Sequence, residues 1–528
     1  MTDALRTRLI TDANRRWWTL GAMCFALFMV MLDNTVVNVA LPAIQEDLGA
    51  SISGLEWTIN AYTLSFAVLL VAGGRLGDLF GRRRMFLFGV VVFAAASGLI
   101  ALAQTETWLV TFRAVQGLGA AFMMPATLSI ITQAFPPEER GKAIGTWAGA
   151  SAVALAIGPV VGGLLVESVS WQSIFLLNLP VAVLAVVVTL FAAQESRDET
   201  APAKVDVPGT AALTLGLASL VLALVEGNTW GWGSTEVVAL LAAAVVGLVA
   251  FAVVETRVAH PMVDFSFFRD RTFFGANVVA FIVSFAMLAM FFFLALYMQN
   301  VRGYDALEAG VRFLPSTLVI IVAGPVAGRL ADRVGPRPLI ASGLLLVAIS
   351  LFWQGHLAPD TSYAATLLPS FVLMGLGMGL VMSPMSLAAM NAVDRTKAGV
   401  ASGTLSMSRM VGGTFGVAAM GALITGIGRS ELADALPRVP ETARDKLAEG
   451  LGAGGGEAAN ASPQVADAVR DAFLTALNDG LRVGAVVAAL GALLAWLLID
   501  AKRPAGDAAT VPGAVPAAPA VDADAVRA

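Results

Sequence analysis

Charge is scarce in this chain. Asp, Glu, Lys and Arg make up 13% of its 528 residues, against 57% hydrophobic residues. A soluble domain carries about 25% charged residues, because every side must face water. Half of that fraction, in a chain long enough for several domains, leaves lipid as the solvent for most of the surface. Cysteine is nearly absent as well: Cys24 stands alone, which excludes an internal disulfide and a thiolate metal cluster. Two histidines, His260 and His356, do not furnish a His-ligated metal centre. The sequence contains no phosphate-cradling loop, nucleophile elbow or metal-ligand cluster. The expectation is therefore no enzyme, no cofactor, no metal and no use of ATP. The 33 basic and 38 acidic residues give a net charge of -5, which removes nucleic acid as a partner.

What is present is a series of long apolar runs. About 20 residues at 1.5 Å each span roughly 30 Å of hydrocarbon. Such runs fall near 17–38, 55–75, 85–104, 108–132, 141–166, 171–193, 208–226 and 236–254, and again near 272–298, 308–331, 337–356, 363–385, 398–426 and 480–500. They are continuous rather than alternating, so fourteen helices are expected and a β-barrel is not. Tryptophans such as Trp17, Trp57, Trp108 and Trp171 mark the ends, as an interfacial aromatic belt does. Arg82 to Arg84, Arg140, Lys142, Arg333, Arg337, Arg395 and Lys397 fall in loops on one side, while the short loops opposite carry little more than Arg302. That asymmetry places the basic side and both termini in the cytoplasm. Ser462-Pro463, with Val465, Val469, Phe473 and Leu477 every four residues, predicts a short amphipathic helix feeding the last span; a solvated linker is the alternative. The Ala/Pro-rich tail beyond residue 500 reads as disordered.

A motif occurs twice. Gly74, Asp78, Gly81, Arg82 and Arg83 follow the second run, and Gly328, Asp332, Gly335 and Arg337 follow the tenth. Parallel repeats of this kind build two bundles about an axis along the membrane normal, with a substrate site between them. The runs at 208–226 and 236–254 have no counterpart and read as an inserted hairpin. The expected plan is a cytoplasmic N-terminus 1–16, a six-helix bundle 17–193, a linker with the hairpin 194–271, and a second bundle 272–500 with an outer loop 427–479; a tail 501–528 completes it. The glycines permit a tight turn, Asp78 can accept amides at a helix N-terminus, and Arg82 to Arg84 are expected at the anionic membrane surface. Such a contact can latch one conformation of a two-state machine, or simply set topology.

Charges within the runs need a reason, since each costs at least about 2.5–3.5 kcal/mol on insertion scales. Asp33 lies deep in the first run with Asn34 and Asn38 beside it. Desolvation favours its neutral form, so it is a candidate proton carrier, cation-binding acid or interhelical hydrogen-bond partner. Arg113 cannot deprotonate; with Gln116 it is expected to form a polar path to Asp33, or else to snorkel. Arg409 is the intramembrane cation of the second half. Ala150, Ala154, Gly158 and Gly162, with Pro159 and Gly163, offer a small-residue face and a bend. Phe281 and Phe285, and Met374, Met378 and Met382 at four-residue spacing, are candidates for a cavity taking varied lipophilic ligands, with core packing the alternative.

These motifs resemble the major facilitator superfamily, in its fourteen-helix drug:proton antiporter branch of the EmrB/QacA type. The loop around Asp78 resembles the family's cytoplasmic signature, and Leu32-Asp33 through Pro42 resembles the branch's first-helix signature. Arg113 to Ala121 is similar to the fourth-helix motif linked with proton coupling, and Gly158 to Gly163 to the fifth-helix antiporter motif. After Trp171, Gln172-Ser173 replaces the usual Arg-aromatic pair, which removes an outer anchor. The resemblance covers roughly residues 15–500. It implies an all-α polytopic fold of two six-helix bundles plus the hairpin, working in the plasma membrane as a proton-driven multidrug exporter. Its expected partners are lipophilic or cationic small molecules, protons and membrane lipids, with a monomer as the working unit. A dedicated exporter of one metabolite, antibiotic or lipid is the first alternative, and an uncoupled channel or receptor the second.

Overall fold

A computed structural model describes residues 11, 14–199, 206–258, 263, 265–304, 306–453 and 462–501. The tail expected to be disordered lies outside the described residues, as does His260-Pro261. All regular structure among the described residues is helical. In lipid a backbone must satisfy its own polar groups, and a helix does so within one segment.

The N-terminal half comprises α1 (Arg15–Leu48), α2 (Ile52–Phe80), α3 (Arg82–Ile100), α4 (Glu106–Ala134) and α5 (Arg140–Ser168), followed by α6 (Gln172–Leu176) and α7 (Asn178–Ala192). A hairpin of α8 (Val207–Trp230) and α9 (Thr235–Arg257) comes next. The C-terminal half contains α10 (Arg271–Leu296), α11 (Ala306–Val334), α12 (Pro336–Gln354), α13 (Leu368–Asn391), α14 (Ala398–Ala435), α15 (Glu441–Ala453) and α16 (Pro463–Leu498). Thirteen membrane-length apolar segments are found among the described residues, α6 and α7 counting as one. The 29-residue α5 takes the remaining position of the fourteen expected. Side-chain oxygens start several of them: Ser51 accepts from Gly54 N, Thr105 from Trp108 N, and Asp270 from Thr272 N and Phe273 N. Rows of apolar side chains face outward, including Val245, Val246 and Val249 on α9 and Leu493 and Leu497 on α16.

Some ends differ from expectation. α1 runs past Pro42 to Leu48, where Gly49 takes a left-handed φ of 59°. Pro42 removes one helical bond, and the extension is held instead by Asp47, which accepts from Trp171 Nε1 at 2.7 Å and Gln172 Nε2 at 3.2 Å. The outer anchor missing from Gln172-Ser173 is thus supplied by Trp171 and Gln172 together. The sixth run breaks between α6 and α7 because Pro180 cannot donate to the Leu176 carbonyl. The helix beginning at Pro463 is continuous with the last span rather than a separate short element, and it buries Val469, Phe473 and Leu477.

Within the halves, α2 and α3 pack on α4, α1 packs on α5 and α7, α11 and α12 pack on α13, and α10 packs on α14. Across them, α5 packs on α11 and α2 on α14. Under the repeat, α2 corresponds to α11 and α5 to α14, so each cross-contact is the counterpart of the other. The hairpin packs on α2 and α14, where Leu213, Leu217 and Phe251 join Val68, Val71 and Val400 in one apolar cluster. It therefore lies along one of the two seams.

Candidate functional site

Asp33 of α1 meets Arg113 and Gln116, 80 and 83 residues further on in α4, inside the N-terminal half. Arg113 donates through Nη1 to Asp33 Oδ2 at 2.6 Å and to Gln116 Oε1 at 2.6 Å. Gln116 Nε2 donates to Asp33 Oδ1 at 2.8 Å, and Asn178 Nδ2 donates to the same oxygen at 3.0 Å. Ser97 Oγ accepts from Gln116 Nε2 at 2.9 Å, and the Thr58 carbonyl accepts from Arg113 Nε at 3.0 Å. The guanidinium also lies 4.3 Å over the Tyr62 ring. The Asp33 and Arg113 side chains are 0% and 1% exposed. This is a closed helix contact, the interhelical hydrogen-bond alternative for Asp33, rather than a carboxyl open to a hollow between the halves. Removing one member of such a pair leaves a buried charge uncompensated, at about 3–5 kcal/mol.

Asn34 and Asn38 do not bond the Asp33 carboxylate. Each turns back onto α1, donating to the carbonyls of Val30 and Asn34, because successive helical positions face different sides. Asn178, Ser97 and the Thr58 carbonyl were missed from the sequence. Asn178, a lone amide in an apolar run just before Pro180, was the one available signal.

The repeated motif builds two cross-half contacts at the arginine-rich end. Asp78 Oδ1 accepts from Gly399 N and Oδ2 from Val400 N, both at 2.9 Å, at the start of α14. Arg82 donates to Asp78 Oδ1 at 2.6 Å and to the carbonyls of Arg395 and Thr396 at 2.8 and 2.7 Å. Arg82 is therefore buried rather than at the membrane surface; its charge is used by Asp78 and those carbonyls. Arg83 and Arg84 remain outside the latch and meet Glu195. The second copy is thinner. Asp332 Oδ1 accepts from Gly141 N at 3.1 Å at the start of α5, while Arg337 stacks on Trp496 at 4.3 Å instead of pairing with Asp332. Gly74 abuts the Gly399 backbone and Gly328 that of Gly141, approaches that a Cβ would block. Gly81 and Gly335 make the turns, at φ values of 110° and 85°.

Comparison with known proteins agrees with this architecture. The family model described as Major Facilitator Superfamily matches residues 23–417. This chain belongs to the Major Facilitator Superfamily. It is 38% identical over 423 residues to the tetracenomycin C resistance and export protein of Streptomyces glaucescens, covering 80% of this chain and 78% of that one. It is 37% identical over 509 residues to the puromycin resistance protein pur8 of Streptomyces alboniger, covering 96% and 95%. The human organic anion transporter MFSD10 (TETRAN) shares its fold at a TM-score of 0.58 and 13% identity, over 92% of this chain and 100% of that one. The chain is a multi-pass membrane protein of a transporter family.

In this superfamily member the fifth-helix glycines divide their work. Gly158 sits against Thr35 and Gly162 against Val36, both on α1 and within three residues of Asp33. A methyl at Gly163 would meet nothing within 4 Å among the described residues, and the side chain of Pro159 lies outside them. Toward the basic end, Gly141 and Gly145 face α11 instead, an additional stripe the sequence reading did not separate.

The cavity candidates separate as well. Met374 and Met378 are buried in the core of the C-terminal half, the packing alternative to a cavity role, because their shared face packs inward. Met382 is partly buried against the same core. Phe281 and Phe285 stack on each other at 6.4 Å between ring centres and meet Phe415 of α14 in tilted contacts at 5.9 and 6.2 Å. Arg409 is not part of the Asp33 network; it stands in the other half beside Ser406 and Trp147.

Proposed function

We propose that this chain is a proton-driven exporter, which expels lipophilic small molecules from the cytoplasm by alternating access between its two halves. The observation that carries this reading is the enclosed Asp33–Arg113 ion pair. Protonating Asp33 removes the charge that balances Arg113, with a penalty on the scale of 3–5 kcal/mol. A membrane potential supplies about 2.3 kcal/mol per charge per 100 mV, and a pH unit about 1.4 kcal/mol per proton. The two scales match, so one proton can drive rearrangement of α1 against α4 and α7. Gly158 and Gly162 pass that movement to α5, which meets the other half at α11. Asp78, Arg82 and Asp332 hold the arginine-rich face shut in the state described above, and the proposed order has them release when cargo is reloaded.

In this proposal the arginine-rich face and both termini are cytoplasmic, the membrane is the plasma membrane, and residues 17–193 and 272–500 move as bundles. Export in the name of the Streptomyces glaucescens relative, and resistance in that of the Streptomyces alboniger relative, support the direction of transport. Both are named for a single compound, which favours a dedicated exporter as the second reading. Drug-dependent proton efflux from everted vesicles tests the proposal. A substrate panel in a strain without its own pumps, with and without a protonophore, separates a broad exporter from a dedicated one.

A further inference from the structure

The expectation of cationic cargo leans on Asp33, yet that carboxylate already holds donors from Arg113, Gln116 and Asn178. A second charged position stands apart from it. Arg409 lies about 16 Å along α14 from the basic end at 1.5 Å per residue, whereas Asp33 lies about 27 Å along α1. Among the described residues the partly exposed Arg409 guanidinium hydrogen-bonds only Ser406 Oγ, at 3.5 Å, and faces the Trp147 ring at 5.9 Å. Both are weak contacts for a permanent charge. No carboxylate pairs with it among the described residues.

Its surroundings donate as well. Trp147 is 3% exposed, and its Nε1–H has no partner. An indole N–H can only donate. Ser402 is fully buried with its hydroxyl unpartnered, and it shares the helical stripe of Ser406 and Arg409 at i, i+4 and i+7. Buried polar groups are normally satisfied, and an arginine within a bilayer has a counter-charge or a route to water. Here a partly exposed guanidinium lies 5.9 Å from an indole ring whose buried N–H has no partner, with hydroxyls alongside and no paired carboxylate among the described residues. An oxyanion completes such a set.

We infer that Arg409 of α14 and Trp147 of α5, which face one another from opposite halves, bind an acidic group of the cargo, a carboxylate, sulfonate or ionised phenol, so that the exported compounds are lipophilic organic anions. The inference rests on the export reading and specifies its substrate class. Arg409 and Trp147 come from opposite halves, so an anion held between them links occupancy to the approach of the two halves.

Two probes of one ring system and opposite permanent charge test it: 1-pyrenesulfonate and (1-pyrenylmethyl)trimethylammonium, each measured for binding to the full chain in nanodiscs and for uptake into everted vesicles. The wild type is expected to bind and move the sulfonate in preference to the ammonium. Arg409→Gln should weaken sulfonate binding by about tenfold or more, the scale of a lost charge-assisted pair, and leave ammonium binding unchanged. Trp147→Phe keeps the ring and removes the N–H, so it should weaken the sulfonate by about threefold; this arm stands even if Arg409→Gln does not fold. A wild type that moves the ammonium and ignores the sulfonate overturns the inference and leaves export intact. One that moves neither overturns both. Equal losses for the two probes in a folded Arg409→Gln protein also overturn it, since they mark a structural role.

Discussion

Asp78 of α2 accepts the amide of Gly399 at 2.9 Å across the seam between the halves, and Asp332 of α11 accepts that of Gly141 at 3.1 Å across the other. The two contacts are related by the repeat but differ in strength. Asp78 carries Arg82 with it, and Asp332 has no arginine in the equivalent role. The first seam is thus the stronger latch. Asp78→Asn should leave Arg82 buried without its counter-charge and shift the chain toward a state open at the basic end. Spin labels on the two sides of that seam, in a Cys24→Ser background, should report a longer-distance population. Asp332→Asn should give a smaller shift in the same direction.

The turn that supplies carbonyls to Arg82 is itself capped. Asp394 accepts from the amide and hydroxyl of Thr396 at 2.8 and 2.9 Å, and these bonds hold its carboxyl below the ordinary 3.8. A depressed acid stabilises above its unfolded value and loses that contribution as pH falls through the folded one. The cap is therefore intact at neutral pH. Asp394→Ala should loosen the seam at pH 7 by a small factor in the same spin-label assay. The gap from wild type should narrow only in strong acid.

Gly158 leaves no room for a methyl beside Thr35. Gly158→Ala should separate α5 from α1 and lower proton-coupled transport by about tenfold or more, as overpacking at 1–3 kcal/mol would do. Thr35→Ala removes the hydroxyl that the new methyl meets. The double variant should recover much of the loss, and a cycle of the four proteins measures the coupling. Additive losses would place the defect elsewhere.

Asn178 is one of three donors to the Asp33 carboxylate. Asn178→Ala should reduce stability by about 1–3 kcal/mol, the cost of leaving a buried acceptor short of a partner. Thermal unfolding in a fixed detergent checks it. Asn34→Ala, which removes a bond to the Val30 carbonyl of its own helix and none to the Asp33 carboxylate, should change stability by less.

The sequence revealed those parts of the site that are costly in lipid. Asp33 and Arg113 stand out because a charge in an apolar run needs a partner, and the repeated Gly/Asp/Gly loop stands out by recurrence. Asn178 and Ser97 did not, since single neutral polar residues in spans bond back to their own helix as readily as across to another. Periodicity shows that Met374 and Met378 share a face but not which neighbour that face meets, and here it meets the core. Spacing could not show that Arg82 turns inward, because only the fold brings the carbonyls of Arg395 and Thr396 to it. The helix at Pro463 was legible at its start and not in its length, since an amphipathic pattern and an apolar span can join without a break.

The most direct test is proton movement by Asp33→Asn in everted vesicles, at equal protein amount and with folding verified by gel filtration. Drug-dependent proton efflux should fall to the background of empty vesicles, while equilibrium binding of the drug persists. Efflux with an unchanged proton-to-drug ratio would contradict the account.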